Sequence, residues 1–382
     1  MSENTDSHFS TPYGCYQLHR YPRRKREQLR AWDAADEYLL NHLNEAGLLQ
    51  PESRVLILND SFGAISVALS KWRPTAQSDS YIAHWSTEEN LTANDLALES
   101  VVRLPSTVEL DQQRYDLVLI RVPKTLAFLE YQLRLLKRHL SQQAQVIGFA
   151  MAKQIHSSTL DRFSGILGPT RTSLAKKKAR LIFTTPDFTQ PEKEADFPIW
   201  YQLEGQGLQI CSHANVFSRE RLDIGSRLLI EHIPTDPAYQ DIADLGCGSG
   251  VLGAVAGLRN PQARLYFVDE SYMAVASAEE TARASSLTNE MVFRAGDGLR
   301  DFARQSLDLV LCNPPFHQQH VVGDFIAWRM FQQARSCLRR GGELIIVGNR
   351  HLNYHIKLKR LFGDAKVIAS DRKFVIIRAA KR

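Results

Sequence analysis

Short apolar runs recur along the chain, each closed by a polar or turn-forming pair and followed by a stretch with helical spacing. In the first half they are Val55–Leu58, Leu117 to Ile120, residues 145–148 and Ala179–Thr184. In the second half they are Asp241–Leu245, 265–268, Leu307–Cys312, 344–348 and 374–379. A strand covered on both faces is apolar throughout instead of alternating. Apolar strands that alternate with helices therefore predict mainly parallel sheets with helices on both faces, whose ligands bind at the strands' carboxyl ends. Residues 200–212, broken at Gly205-Gln206-Gly207, predict a small hairpin, and Asp223 is placed to cap a helix over 224–233.

The order of elements occurs twice. Residues 55–64 fall on 242–251, Asp79-Ser80-Tyr81 resembles Asp269-Glu270-Ser271-Tyr272, residues 115–124 fall on 307–316, and 179–184 on 374–379. The expectation is an α/β chain of two tandem domains, with mainly parallel seven-stranded sheets. Residues 1–185 form a degenerate copy, 186–199 a linker containing Pro186, Pro191 and Pro198, and 200–382 the copy that keeps its chemistry. Degeneracy is read from Asn59 and Ser61 standing where the second copy has Gly246 and Gly248, and from Arg121-Val122-Pro123-Lys124 standing for Asn313-Pro314-Pro315-Phe316.

Two motifs of the second copy carry chemistry. Gly246-Cys247-Gly248-Ser249-Gly250 joins a strand to a helix, where glycines permit positive φ and a close approach of backbone to ligand. Asp269, nineteen residues past Gly250, ends the next strand, where a carboxylate can accept hydrogen bonds from ribose hydroxyls. Together they imply a nucleoside-containing cofactor, and spacing alone leaves a dinucleotide open. At the end of the fourth strand, two prolines stop the ladder and free carbonyls. Asn313 and the Pro314 carbonyl become acceptors for a planar amine, and Phe316 a stacking face.

Composition excludes more than it selects. No uninterrupted apolar stretch approaches the roughly 20 residues of a membrane span, which makes a cytoplasmic protein the expectation. The five cysteines are scattered and odd in number, against a disulfide scaffold or a zinc pair. His317 and His320 lie three apart without a matching carboxylate or thiolate, so no metal is expected and they are assigned to shaping a base pocket. The net charge of +5 is modest, but Arg20, Arg23, Arg24, Lys25 and Arg26 among aromatics, and Lys176, Lys177 and Lys178, could grip phosphates. A solvated face is the plainer alternative for both runs.

The glycine loop, Asp269 and Asn-Pro-Pro-Phe together resemble class I (Rossmann-like) S-adenosylmethionine-dependent methyltransferases that act on amino groups. His213-Ala214-Asn215-Val216-Phe217-Ser218-Arg219, Leu222-Asp223-Ile224-Gly225 and Gly348-Asn349-Arg350-His351-Leu352 narrow the likeness to bacterial rRNA guanine-N2 methyltransferases. Residues 29–40, 55–64 and 122–127 are similar to the large-subunit members.

That resemblance implies methyl transfer to N2 of a guanine in 23S rRNA, on RNA free of ribosomal proteins or only partly assembled, with no protein or membrane partner. It implies Phe217, Asp244, Gly246, Gly248, Gly250, Asp269, Asp297 and Asn313 for the cofactor and Asn313, Pro314 and Phe316 for catalysis. Phe316, His317, Arg24, Lys25 and Lys177 fall to the RNA, and the first copy to its recognition. Two other readings remain open: a protein glutamine N5-methyltransferase, which presents a similar planar nitrogen, and a non-catalytic RNA-binding assembly protein.

Overall fold

The computed structural model describes residues 7–24, 27–191, 196–315 and 320–382, with the side chains of 320–323 left aside. Lys25, Phe316 and His317 lie outside the described residues. The chain divides into two compact units, Met1–Asp196 and Phe197–Arg382.

The first unit opens with a hairpin, β1 (His8–Thr11) and β2 (Gly14–Gln17), then α1 (Ala34–Glu45), β3 (Val55–Leu58), α2 (Ala64–Ala68), β4 (Thr75–Ser78) and α3 (Tyr81–Thr92). It continues with β5 (Val102–Pro105), β6 (Tyr115–Arg121), α4 (Leu126–Leu136), β7 (Leu140–Met151), α5 (Ser157–Ile166), β8 (Thr170–Thr172) and β9 (Ala179–Thr184). Its seven-stranded sheet has the order β5-β4-β3-β6-β7-β9-β8, parallel except at β9.

The second unit also starts with a hairpin, β10 (Ile199–Leu203) and β11 (Leu208–Ser212), closed by Gly205 and Gly207 at positive φ. Then come α6 (Ile224–Ile230), β12 (Asp241–Leu245), α7 (Val251–Arg259), β13 (Arg264–Asp269), α8 (Tyr272–Ala284), β14 (Met291–Ala295) and β15 (Leu307–Cys312). The chain ends with α9 (His320–Cys337), β16 (Leu338–Asn349), α10 (Tyr354–Phe362), β17 (Lys366–Ser370) and β18 (Phe374–Ala380). The sheet order β14-β13-β12-β15-β16-β18-β17 repeats that of the first unit strand for strand. Helix α6 stops at Ile230, three residues short of the expected end.

Central strands read as continuous apolar runs because successive side chains enter different cores. Ile242, Leu309, Leu311 and Ile345 pack on one face, while Ala243, Val310, Leu344 and Ile346 pack on the other. Burying one such aliphatic side chain contributes roughly 1.5–3 kcal/mol. Polar ends beyond these runs are therefore placed for reasons other than packing.

The ladders fix the correspondence between units. Leu56 pairs with Val118 and Thr75, as Ala243 pairs with Val310 and Tyr266. One expectation is corrected by this register: Ser78, not Asp79, occupies the place of Asp269. Ser80 and Ser271 do correspond, each accepting a hydrogen bond from the N–H three residues on, at the start of α3 and α8.

Candidate active site

Strand β12 ends at Leu245 and the chain turns sharply into α7 through Gly246, Gly248 and Gly250, at φ of +76°, +53° and +78°. The last two are glycine for different reasons. A Cβ on Gly250 would lie 2.8 Å from the Cα of Ala278 in α8, a backbone clash. One on Gly248 would meet nothing within 4 Å among the described residues, so that glycine opens toward space instead of packing.

Two carboxylates flank the loop. Asp269 accepts from the Gly248 N–H and the Ser271 N–H, both at 3.0 Å, which fixes its plane at the carboxyl end of the sheet. Asp244 is 1% exposed. Its Oδ2 accepts from the Gly253 N–H at 2.8 Å in the first turn of α7, while its Oδ1 has no partner among the described residues. Burial pushes the Asp244 carboxyl up to about 8; the Gly253 N–H pulls it down, and the Asp269 charge adds to the rise.

Asn313 follows β15 and faces the start of α6. Its Nδ2 donates to the Ser226 hydroxyl at 2.9 Å and to Asp223 Oδ2 at 3.2 Å. The other oxygen of Asp223 accepts from the N–H groups of Gly225 and Ser226, so one side chain caps the helix and grips the amide. An ionised carboxylate only accepts, which leaves the NH2 edge of Asn313 no other orientation and turns Oδ1 the opposite way. Pro314 is buried and Pro315 half-buried. Cys312 is fully buried, and burial holds its thiol well above the ordinary range, leaving no thiolate for nucleophilic chemistry.

The remaining assignments meet partners of their own. Asp297 ion-pairs with Arg329 of α9, and Gln333 clamps the same loop through the Asp297 carbonyl and the Leu299 N–H. Phe217 is 66% exposed, which excludes a place in the core. Its segment is tethered where the Cys211 and His213 N–H groups donate to Thr281 and Ser277 of α8. Tyr201 of β10 lies beside Ser249 of the glycine loop, and burial pushes its hydroxyl up to about 12. In the first unit, Arg24 pairs with Glu27 and Lys177 with Glu37, at 3.7 and 2.9 Å. Asp223, Ser226, Arg329 and Tyr201 were not singled out from the sequence as site residues; only the capping role of Asp223 had a local signal.

The first unit fills the corresponding place differently. Arg121 takes the position of Asn313 and ion-pairs with Asp33 and Asp36, the N-cap and third residue of α1, which stand where Asp223 and Ser226 stand in α6. Asn59, at φ +67°, keeps the turn of Gly246 but spends its side chain on Gln132 and the Arg121 carbonyl.

Comparison with known proteins accounts for both units. Residues 6–188 match the family described as RLMG N-terminal domain, and residues 207–378 the Methyltransferase small domain. The ribosomal RNA large subunit methyltransferase G of Ectopseudomonas mendocina is 50% identical over 374 residues, covering 98% of this chain and 99% of that protein. The protein of the same name from Stutzerimonas stutzeri is 51% identical over 372 residues, covering 97% and 98%. Among solved structures, a 16S rRNA N2 methyltransferase of T. thermophilus in complex with AdoMet and guanosine superposes with a TM-score of 0.74 at 20% identity. That superposition covers 98% of this chain and 97% of that one, and it shows a shared fold.

Proposed function

The chain belongs to the ribosomal RNA large subunit methyltransferase G family, and from that premise we propose that its second unit methylates the exocyclic N2 of a guanine in 23S rRNA at the end of β15. The observation that carries the site assignment is the amide of Asn313, whose NH2 edge is held by Asp223 and Ser226 so that the carbonyl edge is presented elsewhere.

The residues around the glycine loop fit S-adenosylmethionine. Gly248 leaves an approach that a Cβ would fill, Asp269 offers lone pairs at the strand end for ribose hydroxyls, and the unpartnered buried Oδ1 of Asp244 leaves a polar atom for a ligand. Phe217 and Asp297, the latter steadied by Arg329, complete the set we assign to the cofactor. When bound, S-adenosylmethionine supplies an electrophilic methyl group on a sulfonium.

An aryl amine is a poor nucleophile because its lone pair is delocalised into the ring. Asn313 Oδ1 and the Pro314 carbonyl accept hydrogen bonds from its two N–H groups, favouring a pyramidal nitrogen whose lone pair is less conjugated with the ring. The same acceptors stabilise the positive charge that the nitrogen gains as its bond to carbon forms and the carbon–sulfur bond breaks. Such preorganised polar groups, fixed before reaction, are a major source of rate enhancement. The surplus proton then passes to water. Holding nitrogen and carbon in line saves roughly 7–11 kcal/mol relative to free encounter. Phe316, outside the described residues, is proposed to stack the extruded base, whose unstacking costs a few kcal/mol. The RNA is taken in the cytoplasm before ribosomal proteins cover it, and the first unit holds it.

Labelled methyl transfer tests this reading. The expected result is incorporation into protein-free 23S rRNA, with digestion releasing N2-methylguanosine. Incorporation into 16S rRNA or into a protein glutamine instead would overturn it.

A further inference from the structure

The segment between β8 and β9 closes as a two-residue hairpin turn. The Lys176 N–H donates to the Ala179 carbonyl at 3.0 Å, and the Ala179 N–H to the Lys176 carbonyl at 2.8 Å. Between them Lys177 and Lys178 sit at φ of +49° and +64°. Two left-handed residues in a row are a place for Asn-Gly, and lysine carries a conformational penalty there. The fold gains little in return. Lys177 reaches Glu37 with a side chain 77% exposed, and Lys176 reaches Glu45 only at 3.9 Å. Exposed pairs of this kind contribute almost nothing to stability.

The residues around the turn share one character. Leu174 is 86% exposed, yet its backbone is held, its carbonyl accepting from Tyr38 Oη at 3.2 Å and Ser173 Oγ at 2.9 Å. Lys176 lies over the Tyr38 ring, and Arg171 over Phe183. Arg30 shares Glu37 with Lys177. The result is an ordered finger with an exposed leucine on its flank, three cations, and two carboxylates that an incoming polyanion can displace.

We propose that this finger, residues 173–178, is a docking surface for the RNA substrate. Lys176, Lys177 and Lys178 contact phosphates, and Leu174 seats against a base or ribose face as apolar wedges do in nucleic-acid complexes. The strained turn spreads neighbouring lysines at its apex, which a relaxed Asn-Gly turn could not do. The inference rests on the rRNA reading above and adds a place on the first unit where that RNA is held.

The test is the full chain carrying Lys177→Asn with Lys178→Gly, compared with the unaltered chain. Since the new residues suit the turn, the melting temperature is expected to hold or rise, and S-adenosylmethionine affinity to stay unchanged. Binding to protein-free 23S rRNA is expected to weaken about three- to tenfold. The slope of log K against log salt should become shallower by roughly 0.7 per lysine removed. Leu174→Ser should weaken binding without changing that slope. Unchanged RNA affinity and slope in both variants overturn the proposal, as does weaker binding of an acidic protein with RNA binding intact. If the unaltered chain fails to methylate 23S rRNA, the functional reading is what has failed; if it methylates and the variants bind normally, only the finger has.

Discussion

The carboxyl ends of β6 and β15 are the same place in two copies of one fold, and they have opposite chemistry. At β15 an asparagine is gripped by an N-cap aspartate and a serine, leaving one edge of its amide for a ligand. At β6 an arginine meets two aspartates at those same helix positions, an ion pair that closes on itself. A similar exchange occurs one strand away. Asp244 reaches the α7 N-terminus from within its strand, whereas in the first unit Asp60 reaches the α2 N-terminus from the loop, accepting from Ile65 and Ser66. Helix capping is thus kept in both copies, while the group it holds at the strand end differs, an amide in one and a guanidinium in the other.

The glycines teach the same lesson. Gly63 and Gly250 are both retained because a Cβ would strike the backbone of α3 or α8, at Thr87 and Ala278. Gly248, where a Cβ would meet nothing within 4 Å among the described residues, has a serine at its counterpart Ser61. Packing accounts for the first pair, whereas at Gly248 no packing contact requires glycine, only its positive φ.

The comparison can be broken most severely by writing the first unit's residue into the second. Asn313→Arg is expected to abolish methyl transfer to 23S rRNA while the protein still folds, because Asp223 can pair with the guanidinium as Asp33 does. Residual transfer within tenfold of the unaltered enzyme, in a labelled-methyl assay, would place the chemistry elsewhere.

Next in size is the reverse lesson. Arg121→Met leaves Asp36 buried without its cation, and loss of one partner from such a pair costs about 3 kcal/mol or more of stability. The low end applies because Asp33 is partly solvated. Urea denaturation should show the loss in the first unit, with S-adenosylmethionine affinity unchanged. Third, Asp269→Ala should weaken S-adenosylmethionine binding by roughly 10- to 100-fold, the worth of hydrogen bonds to a charged group. Calorimetry should also find one site per chain, and two sites would erase the contrast between the units.

The last effect is a pH dependence. The buried Asp244 carboxyl, raised to about 8, holds its proton in the fold when the unfolded chain, with an ordinary value of about 4, has lost it. The folded state then binds more protons, so this group's contribution to stability is complete below pH 4 and falls as pH rises toward about 8. Thermal unfolding of the cofactor-free protein between pH 4 and 9 should show that decline, and Asp244→Asn should flatten it.

Much of this was legible in the chain because it is local. Apolar runs gave the strands, glycine spacing gave the turn into α7, and Asn-Pro-Pro marked the strand end. The repeat itself could be aligned by eye, apart from Asp79, whose acid drew it onto Asp269 although the register assigns that place to Ser78. What could not be read is what crosses the fold. Asp223 reaches Asn313 across ninety residues of sequence, and Arg329 reaches Asp297 from a helix whose periodicity says only that it is amphipathic. The basic runs were visible as charge, but their ion pairs with Glu27 and Glu37, and the left-handed pair at Lys177 and Lys178, appear only once the chain is folded.

Asn313→Ala, measured for turnover on 23S rRNA and for S-adenosylmethionine affinity in one preparation, addresses the central assignment most directly. Loss of a preorganised group of this kind typically lowers turnover by roughly 10²–10³, and the expected outcome is a fall of that size with affinity held within a few-fold. Equal losses in both, or turnover close to that of the unaltered enzyme, would contradict the role given to this amide.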